Sequence, residues 1–447
     1  MSTHVLPATR SEWHRRIWLL TWPIILANIT IPLVGVADIA VMGRLANPAY
    51  IGAVTVGTAI FSAIYWLFGF LRMSTTGLSA QAYGRGEPII VASVFARAGT
   101  VALTLGLSLV ILQVPLAALL FRIFDASPEV TSHTQIYYNI RILGAPALLL
   151  YMVELGVLFG LQRTKDTLWL SIGLNITNLT LDLILVLGFD MGVKGVAVGT
   201  VVSEWTAALL GLGFVWRGLR TIGWQHGLPK NTWDNRELRA LFSIGSNLIL
   251  RTFFVQLPFM TGTAIATRSG DVTLAAHGIL MQLFFVMTFS LDGFAHTAET
   301  LAGFAYGAKN RQALRNTTVY CSWWALGLAL ATGAAFYFGG GFVIDAFTQA
   351  ETVRSIAREY LIWLAIAPIL CVWAFLFDGI FIGTTHIAEM RNAMVIAALG
   401  WAVMLWLTYD ALGYHGVWLS MSFFMVARSL LLFMYYPVIE KSLPTGR

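Results

Sequence analysis

The sequence predicts an all-α integral membrane protein of twelve transmembrane helices, built as two six-helix lobes related by a parallel repeat. Three observations predict it. Hydrophobic residues make up 57% of the chain and charged residues only 11%, whereas soluble domains carry roughly a quarter charged. Apolar runs reach the roughly 20 residues that a helix needs to cross a bilayer. The chain also repeats itself: Gly77-Leu78-Ser79-Ala80-Gln81-Ala82-Tyr83-Gly84 returns as Thr300-Leu301-Ala302-Gly303-Phe304-Ala305-Tyr306-Gly307, an offset of 223 residues (306 − 83). That shift also lays Phe124 on Phe347, Gly156 on Gly379 and Gly160 on Gly383, and a shift of 221 lays Gly192 and Gly195-Val196 on Gly413 and Gly416-Val417. A solenoid unit runs to roughly 20–50 residues, so a period this long marks a duplicated domain.

The six spans of the first half are read near 17–42, 50–73, 98–121, 136–160, 168–188 and 193–216. Those of the second are read near 240–266, 273–304, 317–345, 359–383, 393–412 and 414–437. The lobes are then 1–220 and 239–447, joined by a charged linker over 221–238 that is interrupted by Gly227 and Pro229. An even number of spans per lobe puts both lobes in the bilayer in the same orientation, with a pseudo-two-fold along the membrane normal. Span 1 carries Pro23 and Pro32, and two prolines nine residues apart make it the best candidate for a helix that changes shape, the alternative being a static kink. Pro146, Pro258 and Pro368 punctuate spans 4, 7 and 10. The N-terminus has no short apolar region followed by a small-residue cleavage site, so the first span is expected to be retained.

The net charge of +6 is a matter of topology, and nucleic acid is excluded as a partner. Eighteen Lys and Arg residues fall in alternate loops, in clusters such as Arg15-Arg16, Arg163 with Lys165, Arg217 with Arg220, and Lys309 with Arg311. Only six (Arg44, Arg122, Lys194, Arg268, Arg354, Arg358) fall in the others. This bias places both termini in the cytoplasm. Cys321 and Cys371 both lie inside spans and imply no disulfide.

Charged groups inside spans cost at least about 2.5–3.5 kcal/mol on insertion scales, so each needs a reason. Span 1 has Asp38, with Asn28 about three turns earlier on a similar face. Span 5 places Asn175, Asn178 and Asp182 at i, i+3 and i+7, one polar stripe on an apolar helix, and span 6 adds Thr200, Ser203 and Glu204. Two carboxylates with amide and hydroxyl oxygens suit a proton or a hard cation, or else serve as hydrogen-bonded glue between helices. Span 8 carries Asp292, His296 and Glu299 on one stripe, with Glu299 near the span end, where solvation is expected; span 10 carries Asp378, and span 7 Arg251. Arg251 is read as the neutralising partner of Asp292 or Asp378, or as a substrate contact. Arg72 and Arg141 are expected to snorkel from span ends. Aromatics such as Tyr65, Trp66, Tyr151, Trp323, Trp324 and Trp373 are mostly interfacial, and any that face a cleft suit flat cationic ligands. There is no Walker A loop and no HExxH or GxSxG motif, so neither an ATP motor nor a membrane hydrolase is indicated. Uphill work would come from an ion gradient.

Pro23 with Asp38, Arg72-Met73-Ser74-Thr75-Thr76-Gly77 through Gln81-Ala82-Tyr83-Gly84, and Asn178 with Asp182 and Thr200 resemble the multidrug and toxic compound extrusion (MATE) transporters. Leu291-Asp292-Gly293-Phe294-Ala295, Phe377-Asp378-Gly379 and Glu389-Met390-Arg391-Asn392 resemble their DinF-like subfamily in particular. The resemblance runs from span 1 to span 12. It implies two lobes forming a V around a central cleft, and antiport of organic cations against H⁺ or Na⁺ with no other cofactor. It implies an ion site at Asp38, Asp182, Asn178 and Thr200, a hinge at Pro23, and a family acid at Asp378. The NorM-like branch adds a span 7 glutamate to its cation site; Arg251 and Gln256 stand in that span here. Asn28, Asn175, Glu204, Arg251, Asp292 and Asp378 are candidates for the substrate cleft. The expected setting is the bacterial inner membrane, as a monomer that meets small organic substrates and lipids. A lipid-linked oligosaccharide flippase, which would want a more cationic cleft, and a non-transporting receptor or enzyme are the alternatives.

Overall fold

The computed structural model describes residues 6–42, 48–122, 127–225 and 227–444, without the side chains of residues 31–40, 42 and 48. Among the described residues there are fifteen α-helices: α1 Arg10–Met42, α2 Pro48–Leu67, α3 Phe70–Gly84, α4 Pro88–Ile111, α5 Gln113–Leu120, α6 Pro128–Arg141, α7 Ala145–Gly160 and α8 Thr164–Asp182. They continue with α9 Gly192–Thr221, α10 Asn235–Arg268, α11 Asp271–Gly307, α12 Arg311–Phe347, α13 Glu351–Gly383, α14 Ile387–Leu412 and α15 Tyr414–Lys441. Among the described residues, eleven helical segments are long and apolar enough to cross a membrane. With α1, these are the twelve segments expected. Several run longer than predicted: α6 and α7 together form a segment from Pro128 to Gly160, eight residues earlier than the sequence reading.

Local chemistry sets where helices begin and stop. At the start of α1 the Glu12 carboxylate accepts from the Ala8 and Thr9 amides at 2.8 and 3.2 Å, while the Thr9 hydroxyl accepts from the Glu12 amide at 3.3 Å. This is a reciprocal cap that satisfies donors the first turn would leave open. Ser127 and Asn310 cap α6 and α12 through the amides of Val130 and Ala313. Left-handed residues sit at helix junctions at repeat-related positions: Gly86 and Lys309 (φ 73° and 52°) and Gln162 and Thr385 (61° and 57°) just past helix ends, Gly192 and Gly413 (53° and 56°) at the starts of α9 and α15.

The described chain divides into two compact units, Met1–Ile25 with Ser243–Arg447, and Leu26–Phe242. In the second of these, α7 packs on α3, α4 and α9, and α8 pairs with α9. In the first, α13 packs on α11, α12 and α15, and α14 pairs with α15. The repeat explains the match, because its glycines sit at the helix crossings. A Cβ on Gly156 would meet the Arg72 carbonyl oxygen at 2.6 Å, and one on Gly379 would run into that of Ala295, the residue 223 positions on. Gly160 lies against Ala80 N and Gly383 against Gly303 N, the same pair again. Small residues let membrane helices approach closely and gain dispersion contact.

Residues 10–25 of α1 pack with the Ser243–Arg447 part of the chain, although the sequence division put them in the first lobe. Their contacts show why. Trp13 stacks on Tyr320, Trp18 lies 5.4 Å from Trp324, the Thr21 and Thr297 hydroxyls bond at 2.8 Å, and Ile25 fills the space left open by Gly293.

Candidate functional site

The polar stripe on α8 meets α9. Asn178 donates from Nδ2 to the Thr200 hydroxyl at 3.3 Å, and that hydroxyl donates to the Val196 carbonyl at 2.8 Å. The Thr200 proton is thus spent on the backbone, leaving its oxygen as an acceptor. Asp182 is 1% exposed, and its carboxylate occupies the space beside Gly199 that a side chain would fill. Asn178 Oδ1 and Asn175 Nδ2 are buried without hydrogen-bond partners among the described residues. Amide, hydroxyl and carboxylate oxygens are thus gathered at membrane depth, a donor set that suits a proton or a hard cation. Just past Asp182 the helix widens into a π-helical stretch, Leu183–Gly188. Such turns loosen the backbone ladder and recur at functional sites. No periodicity in the sequence announces this one.

Glu204 of α9 has a different fate. Arg141 grips both of its oxygens, at 2.7 and 2.6 Å, and the guanidinium lies over the rings of Phe61 and Tyr65. Arg141 therefore does not snorkel; the longer α6–α7 segment carries it inward, and it is 8% exposed. A bidentate pair of this kind neutralises the acid.

In the other unit, Asp378 of α13 holds two guanidiniums on the same oxygen, Arg251 of α10 and Arg428 of α15. Of the partners weighed for Arg251, Asp292 or Asp378, it is Asp378 that the guanidinium meets. Arg428, 1% exposed, went unread in the sequence, where one Arg in an apolar run names no partner. Asp292 is half-buried and close enough to act electrostatically on Arg428. Glu299 is not solvated as expected: it is 1% exposed and paired with His296 at 3.1 Å. Phe259, Phe284, Trp363, Trp418, Met421 and Met425 line an apolar crevice in this unit, and the Met425 sulfur accepts from Arg428 at 3.4 Å.

Pro23 is buried in α1, two residues before the point where the helix leaves one compact unit for the other. Asn28 is half-buried beyond that point. The side chain of Asp38 lies outside the described residues, as do Pro32 and Phe124. Two more groups escaped the sequence reading. Glu154 of α7 is fully buried, and a lone Glu in an apolar run is itself a signal. His277 is bonded by both ring nitrogens, to Thr263 at 3.2 Å and Tyr414 at 2.7 Å.

Comparison with known proteins agrees with this architecture. The MatE family model matches residues 23–184 and 248–409, one copy in each half of the chain. The DNA damage-inducible protein F of Escherichia coli K12 is 37% identical over 416 residues, covering 93% of this chain and 90% of its own length. Two solved structures share the fold. A MOP superfamily transporter from Pyrococcus furiosus has a TM-score of 0.86 at 19% identity, with 97% of each chain covered. The Vibrio cholerae MATE transporter VcmN in the bent form has a TM-score of 0.84 at 18% identity, with 99% of each chain covered.

Proposed function

We propose, from the premise that this chain belongs to the MatE family of membrane transporters and is not an enzyme, that it is a secondary antiporter exporting small organic, often cationic compounds in exchange for H⁺ or Na⁺. The observation that carries this reading is Asp182, buried beside Gly199 with Asn178 and Thr200 bonded to each other one turn away. With Asp38 and Asp182 ionised or sharing a proton, the Leu26–Phe242 unit accepts substrate. Protonation, or cation binding, removes that charge, α1 bends at Pro23, and the substrate leaves. The position of Pro23 beside the Ile25–Leu26 boundary supports the bend. The loop charges support a bacterial inner-membrane setting with both termini cytoplasmic.

The flippase alternative wants a more cationic cleft, whereas the buried guanidiniums of Arg97, Arg141, Arg251 and Arg428 each have a carboxylate partner. The test is ethidium transport into proteoliposomes with pH and sodium gradients imposed separately. One gradient should drive wild type, and Asp182→Asn and Asp38→Asn should lose that response. Asp38→Asn transporting at the wild-type rate would sink the assignment.

A further inference from the structure

Glu154 sits in the middle of α7 with no exposed surface, and neither carboxyl oxygen has a hydrogen-bond partner among the described residues. The backbone of α9 comes to it at Gly211: a Cβ there would stand 2.6 Å from the carboxyl carbon and 3.2 Å from Oε1. Several charged and titratable groups on neighbouring elements have described partners other than Glu154. On α4, Arg97 is taken by Ser93, the Thr232 carbonyl and Glu237. On α3, Arg72 lies over Phe159, and Arg141 of α6 holds Glu204 of α9. At the turn into α8, Arg163 holds Asp166, and Tyr151 on α7 itself is bonded to Ser171. A carboxyl group buried without a cation or a donor is accommodated as the neutral acid rather than as the carboxylate.

Its place relative to the other acids is ordered. Thr200, Glu204, Ala207 and Gly211 fall within about 60° of arc on α9, a single stripe roughly 17 Å long. Asp182 and Asn178 lie against its start, Arg141 neutralises Glu204 part-way, and Glu154 lies against its end. Measured along their own helices, Asp182 is roughly 27 Å and Glu154 roughly 9 Å from the end marked by Arg163, Lys165, Arg217 and Arg220. The two acids therefore sit at opposite depths of one helix group.

We propose that Glu154 is a second proton-binding site of the transport cycle, holding a proton in the packed state and giving it to water from the basic side when α7 and α9 part at Gly211. This rests on the antiport reading. The step is a simple transfer: the carboxyl O–H breaks, water becomes hydronium, and the carboxylate remains. Glu154→Gln imitates the protonated form and cannot complete it.

The test reads protonation directly, by infrared spectra of reconstituted full-length wild type and E154Q with and without ethidium, beside ethidium transport driven by a pH gradient. Wild type should show a protonated-carboxyl stretch that weakens when ethidium is added, and E154Q should lack it. Gradient-driven transport by E154Q should fall about tenfold or more. If E154Q does not fold, Gly211→Ala, whose methyl takes the carboxyl's place, should shift the same band. A band that ethidium leaves unchanged, a band that persists in E154Q, or E154Q transport at the wild-type rate overturns the proposal. Wild type that moves no ethidium under either gradient overturns the antiport reading instead, whatever the variants do.

Discussion

Asp378 shows how a partner changes what a buried acid can do. With Arg251 and Arg428 on one of its oxygens, it is occupied as a counter-ion, and its removal takes a shared carboxylate from two buried guanidiniums. Breaking a buried pair costs about 3–5 kcal/mol, far more than an exposed one. Asp378→Asn should therefore lower thermal stability in detergent strongly, read by fluorescence-detected size exclusion. An unchanged melting profile with lost substrate binding would make Asp378 a ligand-binding acid instead. His277 permits a finer prediction. The Thr263 hydroxyl donates to the Phe259 carbonyl at 3.0 Å, so it accepts from His277 Nε2–H, and Nδ1 accepts from the Tyr414 hydroxyl. Tyr414→Phe should cost about 1 kcal/mol, the usual size of an interhelical hydrogen bond in a membrane. Nitrogen NMR of labelled histidine should show the neutral Nε2–H form in wild type. The stripe Asn175–Asn178–Asp182 was legible from spacing alone, since i, i+3 and i+7 share a helix face. The partners of Arg141, Arg428 and Glu204 were not, because pairing is decided by helices distant in sequence.

Helices meet where the sequence allows backbones to touch, and the repeated glycines mark those places twice. Gly160 against Ser79, Ala80 and Thr76, and Gly383 against Glu299 and Gly303, leave no room for a methyl group. Gly160→Ala and Gly383→Ala should each destabilise by about 1–3 kcal/mol, the cost of overpacking. Gly173 and Gly327 also lie within helices but have nothing within 4 Å of an added Cβ. Alanine there should be neutral or slightly stabilising, because it lowers the entropy lost on helix formation. Melting temperatures of the four variants check both halves, and equal losses at all four would refute the crossing argument. The repeat made these contacts readable: Gly156, Gly160, Gly379 and Gly383 align at one offset. The π-helical stretch after Asp182 was not readable, since Leu183–Gly188 is an ordinary apolar run and its widening is a property of the backbone. Nor was the allegiance of residues 10–25, which depends on Trp13, Trp18 and Thr21 meeting α11 and α12 rather than on any pattern within α1.

Across the whole molecule, the duplication accounts for two similar units, and what distinguishes them is their acids. In Leu26–Phe242, Asp182 is set among amide and hydroxyl groups; in the other unit the acid Asp378 is bound by arginines. Transport by alternating access needs something that ties conformational change to the first set, and α1, like α10, runs from one unit into the other. If α1 bends at Pro23 during the cycle, its first part cannot keep all its contacts with α11. Thr21 and Thr297 touch through their hydroxyls and are both buried, so cysteines at these positions are placed to form a disulfide. The native Cys321 and Cys371 are buried, which limits competing reactions. Oxidised Thr21→Cys/Thr297→Cys protein should stop ethidium transport in proteoliposomes, and a reductant should restore it, while each single variant transports throughout. Complete cross-linking with undiminished transport would mean that residues 10–21 stay on α11 through the whole cycle. The bend would then have to lie beyond Ile25, and Pro23 would be a static kink.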